Sequence, residues 1–159
     1  MRRFFYILGA LFLGILIIGG TSIGVAAYKG RALDAESKAF VDAEIPRIAQ
    51  DWSEAELLHQ ATPELRNSTT PEQLDWLFNG FRQLGTLVAY KGSVGGSLIS
   101  YRTGVGETVS ASYIAKARFQ NGAVTFRVAL LKQNGRWLIS GFHVQSDSIV
   151  PPALRSTGA

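Results

Sequence analysis

The sequence predicts an α+β protein in which an N-terminal transmembrane helix is followed by about three helices packed on one face of a curved antiparallel sheet. Three observations support this prediction. An uncharged apolar run opens the chain, and apolar residues then recur at helical intervals as far as Leu84. From Thr86 onward the pattern changes to β-rich runs that Asn-Gly pairs divide. Helices followed by an antiparallel meander are typical of a sheet with its helices on one face.

Composition limits the classes of function. The chain has 159 residues and no cysteine, which excludes a disulfide framework, thiolate metal sites and a cysteine nucleophile. The formal net charge is +4, but the charges are unevenly placed. The N-terminal segment and the strand half are basic, whereas the helical half is acidic, and no dense run of Lys and Arg is present. We therefore expect no nucleic-acid partner.

The uncharged run from Phe4 to Ala27 predicts a membrane span within an anchor of residues 1–31. At about 1.5 Å per helical residue, the run is long enough to cross a hydrocarbon core of about 30 Å. Basic residues flank it on both sides. A cleaved signal peptide, cut before Tyr28, is the alternative, but signal peptides have a shorter apolar core. The very short N-terminal flank favours a cytoplasmic N-terminus and a domain on the opposite side of the membrane.

Small residues within this run stand four positions apart, in the pairs Ala10 and Gly14, and Gly20 and Gly24. Such spacing lets a second helix approach closely in the bilayer, so it predicts lateral packing against a membrane-protein partner. The alternative is that glycine is simply frequent in transmembrane helices.

The folded domain is predicted to occupy residues 32–146, with residues 147–159 as a C-terminal tail. Its first amphipathic helix extends from Leu33 to Trp52, and Pro46 should kink or divide it. A short helical piece covers residues 53–61.

The third predicted helix has clear boundary signals. Thr70-Pro71-Glu72-Gln73 reads as a capping box with proline at the first helical position, and Gly85 ends the helix. In the strand region, Gly92, Gly95 and Gly96 should form a bend or bulge, because the segment lacks the Gly-Lys-Ser/Thr ending of a phosphate loop.

Two Asn-Gly pairs, at residues 121–122 and 134–135, predict two-residue hairpin turns. Because a two-residue turn sets the register, it also predicts which side chains share a face. The first turn places Phe119 opposite Val124, and the second places Leu130 opposite Ile139. The core face then contains Tyr113, Ala115, Ala117, Phe119, Val124, Phe126, Val128, Leu130, Trp137, Ile139, Gly141 and His143. The other face contains Ile114, Lys116, Arg118, Thr125, Arg127, Leu131, Leu138, Ser140, Phe142 and Val144.

The order of elements, together with the closing segment FQNGAVTFRVALLKQNGRWLISGFHV, resembles the nuclear transport factor 2-like superfamily over residues 32–146. The segments IAQDWSEAELLHQATPEL and FRQLGTL look like uncharacterised bacterial proteins with one N-terminal span. The resemblance implies a cone of helices against a curved sheet. It also implies a bacterial inner-membrane protein with a periplasmic domain. The superfamily includes enzymes, ligand carriers and assembly modules, so the fold alone does not indicate which of these functions the chain has.

The residues themselves do not indicate catalysis. The predicted core face contains no Asp or Glu, and its polar groups are Tyr113 and His143. No metal-ligand spacing is present, and we expect no cofactor and no catalytic residue. A histidine facing the core is typically a hydrogen-bonded structural residue. Three hypotheses follow: a non-catalytic accessory or assembly subunit of a membrane complex, a binding module, or an isomerase or cyclase. The candidate ligand pocket of the second hypothesis is Tyr113, Phe126, Trp137 and His143.

The opposite sheet face is the predicted interface, because it is too apolar for plain solvated surface. Its partner is either another membrane protein or a second copy of the chain. The register also places Lys116 directly opposite Arg127, and two like charges in paired positions favour a partner with carboxylates. The interface candidates are Ile114, Lys116, Arg127, Leu131, Leu138, Phe142 and Val144.

Overall fold

A computed structural model describes residues 30–102 and 106–146. By its contacts the chain divides into two units, Met1–Leu33 and Asp34–Ala159. Within the described ranges, no helix is long and apolar enough to cross a membrane. The predicted span Phe4–Ala27, its pairs of small residues and the tail of residues 147–159 all lie outside the described residues.

The helices precede the sheet, as predicted. Helix α1 includes residues 30–51, α2 is Glu54–Gln60, α3 is Pro63–Asn67 and α4 is Pro71–Arg82. The described part of the chain thus contains a fourth helix, α3, between the second and third predicted helices.

Two details of these helices can be compared with the sequence. Helix α1 continues through Pro46 without being divided, and the neighbouring Ile45 and Ile48 are completely buried, so core packing holds the helix together across the missing N–H group. The capping box of α4 is confirmed: the Thr70 hydroxyl accepts from the Gln73 N–H, and the Gln73 side chain accepts from the Thr70 N–H.

Helix α1 ends at an unusual residue. Trp52 has a φ of 46°, the left-handed conformation that glycine usually adopts after a helix, and the following Ser53 N–H donates to the Ile48 carbonyl at 3.1 Å. The indole is only 2 % exposed and packs against four phenylalanine rings, Phe78, Phe81, Phe119 and Phe126. This packing offsets the cost of a left-handed backbone in a bulky residue.

In the described residues the sheet has four antiparallel strands in the order β1-β2-β3-β4: β1 is Leu87–Arg102, β2 is Gly106–Phe119, β3 is Gly122–Gln133 and β4 is Arg136–Ser146. It is curved, and the helices lie on one side. Strand β1 has register shifts between Leu87 and Ala89 and between Tyr90 and Ser93, and Gly92 lies inside the second shift with a φ of 86°. This second shift is a bulge at Gly92, as predicted, but Gly95 and Gly96 pair regularly with β2, and the segment lies within one strand instead of between two.

The β2–β3 turn differs from the prediction by one residue. Phe119 pairs with Gly122, so Gln120 and Asn121 form the turn. The linker after α4 holds them there: the Asn121 N–H donates to the Leu84 carbonyl, and its side chain donates to the carbonyl of Gln83 at 2.7 Å. When the turn moves by one residue, the partner of each β2 residue on β3 changes by two positions. Because side chains alternate with a period of two, each one keeps its predicted face.

The β3–β4 turn at Asn134-Gly135 is confirmed, with φ values of 50° and 77° at the two turn residues. The predicted register holds as far as Leu130 opposite Ile139. Beyond it, Ala129 pairs with Gly141, so Ser140 is an extra, exposed residue in a β-bulge.

The bulge at Ser140 reverses the faces of the rest of β4. Phe142 pairs with Val128 and Val144 with Phe126, so both side chains point toward the helices, and our assignment of them to the opposite face was wrong. His143 pairs with Arg127 on the opposite face and is exposed, so its predicted place in the core was also wrong.

The core lies between the helices and the inner side of the sheet. The β2 and β3 residues predicted to share this face are all buried. Aromatic rings meet at its centre, where Phe126 contacts Phe142 at 5.9 Å between ring centroids and Trp52 contacts Phe119 at 5.1 Å. None of the helices in the described residues covers the other side of the sheet.

Candidate functional site

The side of the sheet that faces away from the helices, here called the outer face, is organised in three rows that cross the strands. The first row contains larger side chains, the second small ones, and the third leucines with one serine. In register, the rows are Val94, Ile114, Arg127 and His143; then Ser112, Ala129 and Gly141; then Leu98, Ser110, Leu131 and Leu138.

The middle row is the floor of an open groove of about 500 Å³. All members of the first row line this groove, together with the three small residues of the floor. A side chain at Gly141 would crowd this floor, because a Cβ atom there would lie 3.3 Å from the Ala129 Cβ, tighter than ordinary contact. The lining is therefore mainly carbon, with the Arg127 guanidinium and the His143 imidazole as its charged or titratable groups.

Large aliphatic side chains are exposed around this groove. Val94 is 80 % exposed, Leu98 65 % and Ile114 48 %, while Leu131 and Leu138 are half-buried. Single exposed apolar residues are ordinary, but a contiguous group beside a groove indicates a surface that binds something.

No known family model matches the sequence, and no curated protein is significantly similar to it. The resemblance to the nuclear transport factor 2-like superfamily therefore stays a prediction. What the outer face does must be argued from its own side chains.

The four predicted pocket residues are not brought together. Tyr113, Phe126 and Trp137 lie on the inner side of the sheet and are 2 %, 0 % and 7 % exposed, whereas His143 is on the outer face. The Tyr113 hydroxyl is bound to the Ser37 hydroxyl at 2.9 Å and donates to the Asp34 carbonyl at 3.1 Å. The two polar groups that the sequence placed in one interior site thus lie on opposite sides of the sheet.

The predicted interface residues are divided in the same way. Five remain on the outer face: Ile114, Lys116, Arg127, Leu131 and Leu138. The bulge removes Phe142 and Val144 from it. Lys116 is opposite Thr125, not Arg127, because the β2–β3 turn is shifted, and Arg127 is flanked by Ile114 and His143. Val94 and Leu98 belong to this surface although the sequence reasoning missed them; their even spacing on β1 with Gly96 between was the available signal.

A polar cluster between α1 and β1 was also missed. The Asp42 carboxylate accepts from the Tyr90 hydroxyl at 2.8 Å, from the Ser93 hydroxyl at 2.7 Å and from Lys38. About two turns earlier on the same helix, Asp34 accepts from both the N–H and the hydroxyl of Ser97. The spacing of residues 34, 38 and 42 by four positions is a signal for one helical stripe.

The electrostatics of this cluster fit a structural role. Burial alone would raise the pKa of the Asp42 carboxyl, but hydrogen bonds from Lys38, Ser93 and Tyr90 outweigh it and hold that pKa below its usual value. Burial, followed by the hydrogen bond to Asp42, raises the pKa of the Tyr90 hydroxyl. A carboxylate with a lowered pKa is a weak base and a tyrosine with a raised pKa is a weak acid, so the pair is poorly suited to proton transfer. Its hydrogen bonds hold α1 against the sheet.

Proposed function

We propose that this protein is a non-catalytic accessory or assembly subunit of a membrane protein complex, and that it binds its partner through the outer face. The observation that carries the proposal is the group of exposed aliphatic side chains, Val94, Leu98 and Ile114, around a groove with a floor of small residues. A groove of this kind can receive a large side chain from another protein, and such buried anchors supply much of the energy of an interface.

The membrane part of the proposal comes from the sequence. The uncharged run Phe4–Ala27 is long enough to anchor the domain, and its small-residue spacing suits a lateral helix partner. If the anchor is uncleaved, the purified protein begins at or beside Met1 and stays with the membrane in alkaline carbonate. An N-terminus at Tyr28 would contradict the anchor.

The binding proposal is tested by removing the apolar side chains without disturbing the core. Leu98→Ser combined with Ile114→Ser should separate the full chain, purified in mild detergent, from its partner. The melting temperature should change little, because both side chains are exposed in the free domain. Trp76→Ser is the matched control: this indole is 61 % exposed but belongs to α4. Loss of the complex in the control, or its survival in the double variant, would contradict docking through the outer face.

A second function is favoured by one observation, the size of the groove. A volume of about 500 Å³ lies in the range of small-molecule sites. The alternative is therefore a binding module for a small apolar ligand, with the site on the outer face and not inside the cone. Native mass spectrometry of the purified full chain distinguishes the two. A bound lipid or quinone that Ala129→Leu displaces supports the ligand, whereas a stoichiometric protein supports the subunit.

A further inference from the structure

The charges of the outer face are all of one sign. Four exposed cations lie on it, and no described acidic residue does; the cations are Lys116, Arg118, Arg127 and Arg136. None of these four is in an ion pair with a carboxylate in the ranges that the structure describes. Arg127 lines the apolar groove itself, and Lys116 lies in the next row of the sheet.

Ten of the twelve acidic residues belong to the helical half of the chain; of the other two, Glu107 is in β2 and accepts from the Tyr101 hydroxyl, and Asp147 is outside the described residues. Residues 32–85, which form the helical layer, carry ten acids and four bases. Three of these acids bind side chains of the sheet: Asp34 accepts from Ser97, Glu36 pairs with Lys132, and Asp42 accepts from Tyr90 and Ser93. They cannot reach across the sheet to neutralise Arg127.

The unpaired cations of the outer face limit what can bind it. In a two-fold symmetric dimer the same patch meets itself, so two copies joined through the outer face would bring the cations of both into one interface. Like charges in close apposition oppose association. A flat lipid surface could neutralise the cations, but it would leave the floor of Ser112, Ala129 and Gly141 unfilled. A protein segment can satisfy both features at once.

We propose that the partner presents an acidic segment, with one large apolar side chain for the groove and carboxylates for Arg127 and the other cations of the outer face. The inference rests on the proposed function and specifies the chemistry of its partner. Arg127 is the central contact, because it lies in the groove wall between Ile114 and His143. A carboxylate bound to Arg127 would therefore lie directly beside an apolar group that fills the floor.

The test is site-specific photo-crosslinking of the full chain in its native membranes. A benzophenone side chain replaces Val94 on the groove wall, with replacement of Trp76 on α4 as the control. The site of the adduct is then sequenced by mass spectrometry. We expect the Val94 adduct on another protein, within a stretch that carries Asp or Glu next to a large apolar residue. Adding Arg127→Glu should lower its yield about tenfold, whereas Arg127→Lys should retain most of it. Because Arg127 is exposed, neither variant should change the melting temperature much, and thermal melting of both variants checks that they fold.

The other outcomes separate the two proposals. An adduct with a protein stretch without carboxylates, or a yield unaffected by Arg127→Glu, overturns the acidic partner but leaves the docking face standing. An adduct with a second copy of this chain also overturns the acidic partner. Phospholipid adducts alone, or no difference between the Val94 and Trp76 positions, contradict the proposed function itself.

Discussion

Phe142 and His143 are neighbours on β4 whose contributions to stability should differ sharply, because the bulge at Ser140 turns the first toward the core and the second toward solvent. Phe142 is half-buried against Phe126, with 5.9 Å between ring centroids. Truncating a fully buried phenylalanine to alanine costs about 3–5 kcal/mol. Since part of the Phe142 ring is accessible, we expect Phe142→Ala to lower the free energy of unfolding by about 2–3 kcal/mol.

His143→Ala should cost less than about 0.5 kcal/mol, because it removes an exposed side chain. The assay is thermal unfolding of the full chain in mild detergent, followed by the fluorescence of the buried Trp52 and Trp137. For a domain of this size, the loss at Phe142 corresponds to a decrease in melting temperature of about 10 °C. Phe142→Leu is the matched control, and its smaller loss of volume should cost about 1 kcal/mol.

The opposite ranking would refute the register. Without the bulge, His143 would face the core opposite Phe126, and Phe142 would face solvent. His143→Ala would then be the more destabilising change, and Phe142→Ala would be nearly silent in the isolated protein. Equal, small effects of both variants would mean that this end of β4 contributes little to the core.

The remaining predictions concern single contacts. Thr70→Ala removes the hydroxyl that caps α4 and should lower the free energy of unfolding by about 1 kcal/mol, measured by thermal melting; an unchanged melting temperature would contradict the capping geometry. Because the folded-state pKa of Tyr90 is raised, its contribution to stability is present below the unfolded pKa of about 10 and is lost as the pH rises further. Above about pH 10, the free energy of unfolding of the wild type should therefore fall more steeply than that of Tyr90→Phe. Parallel curves for the two proteins would contradict a raised pKa of Tyr90. The lowered folded-state pKa of Asp42 has the opposite sign, so its contribution is present above about pH 4 and is lost as pH falls through the folded pKa; the acid limb of Asp42→Asn should be flatter than that of the wild type. The buried indole N–H of Trp52 has no hydrogen-bond partner among the described residues, so Trp52→Phe should change stability by less than about 1 kcal/mol, whereas Trp52→Ala should cost about 3–5 kcal/mol; similar losses in both variants would show that the indole N–H is satisfied.

Local signals in the sequence were sufficient for α1, α2 and α4 and for most side-chain faces, but not for α3. The capping box at Thr70 depends on contacts within four residues, and it forms as the sequence indicates. The inner faces of β2 and β3 were also predictable, because alternation has a period of two and an error of two positions in pairing leaves every face unchanged. Five of the seven interface candidates consequently lie on the outer face.

Contacts between distant segments decided what the sequence could not. The β2–β3 turn lies at Gln120 and Asn121 because the linker after α4 binds them, a contact between residues more than thirty positions apart. The bulge at Ser140 had a local signal, since a glycine such as Gly141 within a strand suggests one, but the signal does not say whether the strand should bend there. Whether the strand bends there depends on whether Phe142 or His143 is buried in the core. Burying Phe142 against Phe126 is favourable, whereas a buried His143 would need a hydrogen-bond partner. These contacts come from residues that are distant in sequence, so the choice between the two side chains is decided only in the assembled core.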